Sequence, residues 1–141
     1  MNIPVLVLLV FAMWTLLVLA VGVGVYRWSR ILTGRASVAD WWTGTAKGSD
    51  WYQRATRAHM NCVENLPVYG AIVVALAVAG LHNHLIDWLS VSMLAARIGQ
   101  TTVHLSLPAT NAVASLRFAL YFAQMVCMSA MGIVAAAALI S

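Results

Sequence analysis

Four long apolar stretches, separated by polar segments, run along the 141-residue chain. They predict membrane-spanning helices at about residues 3–28, 51–80, 86–107 and 112–140, since each span needs roughly 20 apolar residues. A polar loop at residues 29–50 follows the first stretch, and short turns join the others. Helices joined by short turns are antiparallel neighbours. The pattern therefore predicts one all-α domain at residues 1–141, an integral membrane four-helix bundle with up-down topology.

The composition agrees with a membrane protein and excludes a soluble one. The chain is 62% hydrophobic and 9% charged, whereas a soluble domain has about 25% charged residues. Most of its basic residues lie between or beside the first two stretches: Arg27, Arg30, Arg35, Lys47, Arg54 and Arg57. This distribution predicts a multi-pass protein whose first loop is cytosolic. No basic face lies in a polar, foldable context, so we expect no nucleic-acid partner.

Neither the cysteines nor the histidines indicate a metal site. Cys62 and Cys127 are far apart in apolar surroundings and form no CxxC pair, which predicts free thiols. His82 and His84 lie in a short turn with no third ligand nearby, and a structural metal needs more ligands than two. We therefore expect no bound metal.

Each of the last three spans has one polar stripe. The stripes are Arg57, Asn61 and Glu64 on the second span, Arg97, Gln100 and His104 on the third, and Arg117, Tyr121 and Gln124 on the fourth. Residues three or four apart share a helix face. Ionisable residues at membrane depth face the protein interior, a subunit interface or a water-filled cavity, and usually mark function.

The up-down topology brings the stripes to one depth at the cytosolic side. Arginine binds carboxylates with two parallel hydrogen bonds, and the single glutamate, Glu64, can bind an ammonium group. The set is thus suited to a small zwitterion with more than one carboxylate. Alternatively, Glu64 could neutralise Arg57 or Arg97 in ion pairs that only lock the helices. One acid cannot pair with every arginine, but Arg97, near mid-span, is expected to belong to a structural ion pair.

The stretch RATRAHMNCVENLP, residues 54–67, resembles the signature of the MAPEG family, the membrane-associated proteins in eicosanoid and glutathione metabolism. That signature reads roughly R-x-x-R-A-[HQ]-x-N-x-x-E-x-x-P. The matching positions are Arg54, Arg57, Ala58, His59, Asn61, Glu64 and Pro67. The resemblance continues at Arg97 and in RFALYFAQ, residues 117–124, and so extends over nearly the whole chain.

The resemblance implies a homotrimer with glutathione sites between subunits at the cytosolic side, and glutathione as co-substrate. By position, Arg117 is the catalytic arginine that stabilises the glutathione thiolate. Glu64 would receive the ammonium group of glutathione, and Arg57 a carboxylate. An arginine at the end of the first span, Arg30 or Arg27, is implied as a further contact. The implied glutathione-binding set is Arg30, Arg57, Asn61, Glu64, Gln100, His104 and Tyr121.

The chain departs from the family pattern at four positions. Met60 replaces an arginine found in some members. Gln100 stands where histidine or tyrosine is common, and His104 stands where tyrosine is common. Phe118 follows Arg117, where prostaglandin E synthases have a serine assigned to catalysis. This last difference argues against prostaglandin isomerase chemistry but not against thiol transfer.

Three functions are compatible with such a membrane protein. The first is a glutathione transferase or peroxidase whose lipophilic electrophile enters from the membrane lipids. The second is a non-catalytic lipid-binding scaffold of the same family. The third, a small multidrug exporter, needs a membrane-embedded acid, and the first span has none. The presence of Arg57, Asn61, Glu64, Arg117 and Tyr121 favours the enzyme.

Overall fold

The structure is a computed structural model that describes residues 2–41 and 48–140. It contains four long helices, at Ile3–Leu32, Asp50–Val78, His84–Ser106 and Asn111–Ile140. A short 3₁₀ helix, Val38–Trp41, lies in the first connection. Over the described residues there is no strand, so the all-α class predicted from the pattern is confirmed. Trp42 and Lys47, which belong to the predicted polar loop, lie outside the described residues.

Local capping sets where the helices begin and end. The side chains of Asn2 and Asn83 accept hydrogen bonds from Val5 N, at 3.3 Å, and Ile86 N, at 2.9 Å. Such caps satisfy the free N–H groups of a first helical turn. The first helix continues to Leu32, four residues beyond the predicted end. It stops just before Gly34, whose φ of 68° is a conformation that glycine adopts without strain.

The first helix contains a π-helical segment, Val18–Gly24, which the hydrophobic pattern does not predict. Within this segment the helix packs closely on the second helix. A Cβ atom at Gly22 would lie 3.2 Å from Cβ of Ala55, so a larger residue would force the helices apart. The wider turns of the π segment also change which residues of the following part of the first helix face the second helix.

Contacts along the helices show that neighbours in sequence are antiparallel. Tyr69 Oη, late in the second helix, donates to the carbonyl of Pro4 at the start of the first, at 3.2 Å. Ser90 Oγ, early in the third helix, contacts Met131 Sδ, late in the fourth, at 3.4 Å. The buried apolar core lies between these contacts and includes Phe11. The start of the second and fourth helices therefore meets the end of the first and third.

Three of the four helices are long and apolar enough to cross a membrane. The third helix, His84–Ser106, is not among them, although the apolar stretch at about residues 86–107 predicts a span there. Its buried face includes polar residues such as Ser90, Arg97 and Thr101, which lower its mean hydropathy. These residues face the other helices, whereas apolar side chains such as Leu9 and Trp88 are exposed on the outside. The protein is therefore a membrane protein whose interior contains polar residues beside its apolar core.

Candidate functional site

A cavity of about 400 Å³ opens at the end of the protein where the second and fourth helices begin, which we call the basic end. Its lining comes from three helices and the turn before the fourth: Asp50, Gln53, Arg54, Arg57, His104, Pro108, Ala109 and Arg117. The lining thus combines three arginines with one carboxylate. A cavity of this size lies within the range of small-molecule sites, and its excess of positive charge favours an anionic ligand.

Arg117 is held inside this cavity by the third helix. Its Nη1 lies 3.2 Å from Nδ1 of His104, and His104 is buried with 8% of its surface exposed. A guanidinium has only hydrogen-bond donors. Nδ1 is therefore the acceptor, and the ring bears its proton on Nε2. The contact fixes the direction of a side chain that is otherwise only partly buried.

A second group of polar residues lies deeper between the helices, and we call Arg97, Gln100 and Gln124 the amide network. Gln100 Oε1 accepts hydrogen bonds from Arg97 Nη1 at 2.9 Å and from Gln124 Nε2 at 3.2 Å. Gln100 Nε2 in turn donates to the carbonyl of Arg117 at 3.3 Å. The network therefore joins the third and fourth helices and also supports the backbone under the cavity arginine.

Arg97 is almost completely enclosed, with 1% of its surface exposed. Its guanidinium carbon lies 5.7 Å from the centre of the Phe11 ring, a cation–π arrangement. Nη1 is bonded to Gln100, while Nε and Nη2 have no hydrogen-bond partner among the described residues. The acidic partner expected for Arg97 is not among these contacts. Its observed neighbours are an amide and an aromatic ring, where an ion pair would have a carboxylate.

The structure brings together only some of the residues expected to bind glutathione. Arg57, His104 and Arg117 line one cavity. Gln100 is buried in the amide network. The remaining members lie outside the cavity lining: Asn61 is half-buried, Glu64 and Tyr121 are exposed on helix faces, and Arg30 lines a separate cavity of about 670 Å³.

The two candidate arginines at the end of the first helix have different surroundings. Arg27 Nε donates to Tyr52 Oη at 2.7 Å, and its guanidinium carbon lies 5.4 Å from the Trp41 ring centre. Arg30 lies over the ring of Tyr26, at 5.7 Å, and faces the separate cavity. The Arg27 guanidinium is therefore occupied by contacts within the chain, whereas the Arg30 guanidinium lies beside a cavity.

Five residues that line the cavity were not among the expected glutathione contacts: Asp50, Gln53, Arg54, Pro108 and Ala109. Asp50, Gln53 and Arg54 stand with Arg57 at positions i, i+3, i+4 and i+7 of the second helix. This spacing places them on one helix face, so the pattern contained the signal. Arg54 also belongs to the stretch that resembles the family signature, but of that stretch only Arg57, Asn61 and Glu64 were expected to contact glutathione. In the described part of the chain, no group of three or more histidine, cysteine or acidic side chains could hold a metal ion.

Comparison with known proteins identifies the family. The family model described as the MAPEG family matches residues 5–137. The match extends over all four helices and the cavity lining, and it confirms the resemblance found in residues 54–67 and 117–124. A search of curated proteins finds no match for this chain.

Proposed function

We propose a glutathione transferase activity for this chain, which belongs to the MAPEG family. The observation that supports the proposal is the cavity at the basic end, whose lining includes Arg54, Arg57 and Arg117 and one carboxylate, Asp50. Glutathione has two carboxylates, an ammonium group and a thiol. Its net negative charge complements this lining, and the basic loop beside it favours a cytosolic location for the site.

In the proposed complex, different residues bind the charged groups and the sulfur of glutathione. Arg57 holds a carboxylate of glutathione through charge-assisted hydrogen bonds. The Glu64 carboxylate accepts hydrogen bonds from the ammonium group. Glu64 is exposed on the same face of the second helix as Arg57. Because Glu64 and Tyr121 lie on open faces and not in the cavity of one chain, a second copy of the chain is needed to enclose the ligand. A homotrimer with sites between subunits meets this need.

The chemistry depends on Arg117. A guanidinium beside the glutathione sulfur favours the thiolate, because an opposite charge within about 4–6 Å stabilises the ionised form. The thiol proton leaves to water, and the thiolate is the nucleophile. With an aryl halide, the sulfur forms a bond to the ring carbon while the carbon–halogen bond breaks and halide leaves. The same thiolate could reduce a lipid hydroperoxide, with two glutathiones giving the disulfide, an alcohol and water.

The surface next to Arg117 supports a lipophilic electrophile. Phe118 and Phe122 are stacked, with ring centres 6.4 Å apart, and are 68% and 59% exposed. Aromatic rings on the outside of a membrane helix contact lipid, so an apolar substrate can approach the sulfur from the membrane. The charged conjugate then leaves to water at the basic end.

Titration of the purified protein with glutathione tests the proposal. We expect the absorbance band of bound thiolate to appear and an activated aryl halide to be conjugated at a rate that depends on Arg117. Saturable glutathione binding without conjugation or peroxide reduction would indicate the non-catalytic lipid-binding scaffold. Absence of glutathione binding would overturn the proposal.

A further inference from the structure

The third helix places an imidazole against the guanidinium that the proposed function needs. His104 Nδ1 and Arg117 Nη1 are 3.2 Å apart, and His104 is buried. Four residues earlier on the same helix, Gln100 Nε2 donates to the Arg117 carbonyl at 3.3 Å. Arg117 is thus supported at both its backbone and its side chain by residues on one face of one helix.

We propose that His104 is a positioning residue that orients Arg117 toward the glutathione sulfur by acting as a neutral hydrogen-bond acceptor. This inference rests on the proposed function and assigns His104 a role different from ligand binding. Chemistry requires the acceptor role, because a guanidinium offers N–H groups only. A doubly protonated ring would have no acceptor left, and it would add positive charge beside Arg54, Arg57 and Arg117.

The need for a positioning residue follows from the length and freedom of an arginine side chain. A guanidinium must lie close to the sulfur to stabilise the thiolate, and its electrostatic effect falls as the distance grows. In the cavity, two further arginines repel Arg117. A fixed acceptor on a rigid helix prevents the side chain from turning to open water. Positioning groups of this kind are a general requirement of sites that stabilise charge.

A matched pair of variants tests the acceptor. Leucine and asparagine side chains have the same number of heavy atoms and the same branching, but only asparagine has an amide oxygen close to the place of Nδ1. We expect His104→Leu to reduce the thiolate absorbance per bound glutathione about tenfold, since a misplaced opposite charge changes thiol ionisation by about that factor or more. His104→Asn should restore most of the band. His104→Phe, which keeps the ring volume, is a second apolar variant in case His104→Leu does not fold.

Two further measurements separate positioning from binding and from folding. S-methylglutathione has no thiol, so its dissociation constant should be the same in the wild type, His104→Leu and His104→Asn. His82→Asn, an exposed histidine at the other end of the helices, is the control for loss of an imidazole and should retain the full band. Melting temperature in detergent reports the folding of each variant.

The outcomes distinguish this inference from the proposed function. A wild-type protein that binds glutathione without a thiolate band overturns both. A band that persists unchanged in His104→Leu and His104→Phe overturns the positioning role alone. Weaker S-methylglutathione binding in His104→Leu, with the thiolate fraction of bound glutathione unchanged, would make His104 a ligand contact instead and would also overturn it.

Discussion

Two arginines take part in the polar stripe of the third helix: Arg97 belongs to it, and Arg117 on the fourth helix contacts it. Arg117 lies in an open cavity with two other arginines and touches His104 at the end of the stripe. Arg97 lies deep between the helices, bonded to Gln100 and packed over Phe11. One face of the third helix therefore lines a charged, accessible cavity at its end and forms part of a closed amide network deeper in the protein.

The difference indicates which surroundings favour a role of an arginine in chemistry and which favour a role in stability. Arg97 has an amide and an aromatic ring around it and 1% exposure, so no ligand can reach it without opening the helices. A cation in such a place mainly affects stability, since a buried polar group costs free energy unless it is hydrogen-bonded. Arg117 has a single side-chain acceptor and free space in front of it. We therefore expect loss of Arg117 to affect chemistry, and loss of the amide network to affect stability.

The largest effect should come from Arg117→Ala. We expect kcat/KM for conjugation of an aryl halide to fall by about 10²–10³-fold, the usual loss when one group that stabilises developing charge is removed. The melting temperature in detergent should change little, because the side chain is only partly buried. Arg35→Ala, an exposed arginine outside this cavity, is the control. Equal losses in both variants would attribute the effect to overall charge and contradict the assignment.

The variant Glu64→Gln tests whether Glu64 binds glutathione or stabilises the buried Arg97. If Glu64 accepts the ammonium group of glutathione, the dissociation constant should rise by roughly 10–100-fold, because hydrogen bonds to charged groups contribute about 1.5–3 kcal/mol. Isothermal titration measures this change, and Asp87→Asn at the other end of the third helix is the charge-matched control. A lower melting temperature with unchanged affinity would place Glu64 with Arg97 instead.

Gln100→Met removes the centre of the amide network while nearly preserving volume. We expect the free energy of unfolding to fall by about 1–3 kcal/mol, because Arg97 Nη1 and Gln124 Nε2 lose a buried acceptor. Thermal unfolding in detergent measures the loss, and Thr102→Val, exposed on the same helix, is the control. Unchanged stability with weaker glutathione binding would instead show that Gln100 contacts the ligand, as the family resemblance implies.

Gln124→Met should have the smallest effect. It removes the neutral hydrogen bonds that Gln124 Nε2 donates to Gln100 Oε1 and to the carbonyl of Leu120, while Gln100 Oε1 remains bonded to Arg97. We expect a loss of about 0.5–1.5 kcal/mol in the free energy of unfolding and unchanged conjugation activity. A larger loss than that of Gln100→Met, measured in the same melting experiment, would show that the network is centred on the fourth helix.

The polar stripes illustrate how far the sequence leads toward the site. Spacing alone assigned Arg97, Gln100 and His104 to one face of the third helix, and the structure places all three inward. Spacing did not show that Gln100 would bond to Arg97 or that His104 would meet Arg117. It also did not predict the π segment of the first helix, because no break in hydrophobicity marks it and glycines such as Gly22 and Gly24 are common in membrane helices.

The sequence by itself determined the number of helices, their antiparallel order, the basic end and the residues that share each helix face. These properties follow from hydrophobic period, loop length and charge distribution, all of which are local. Only the tertiary structure decided which stripe residues meet across helices. Those contacts depend on the depth and rotation of each helix, which close packing such as Gly22 against Ala55 determines. A shift of one helical turn would move His104 out of reach of Arg117 without changing the sequence pattern.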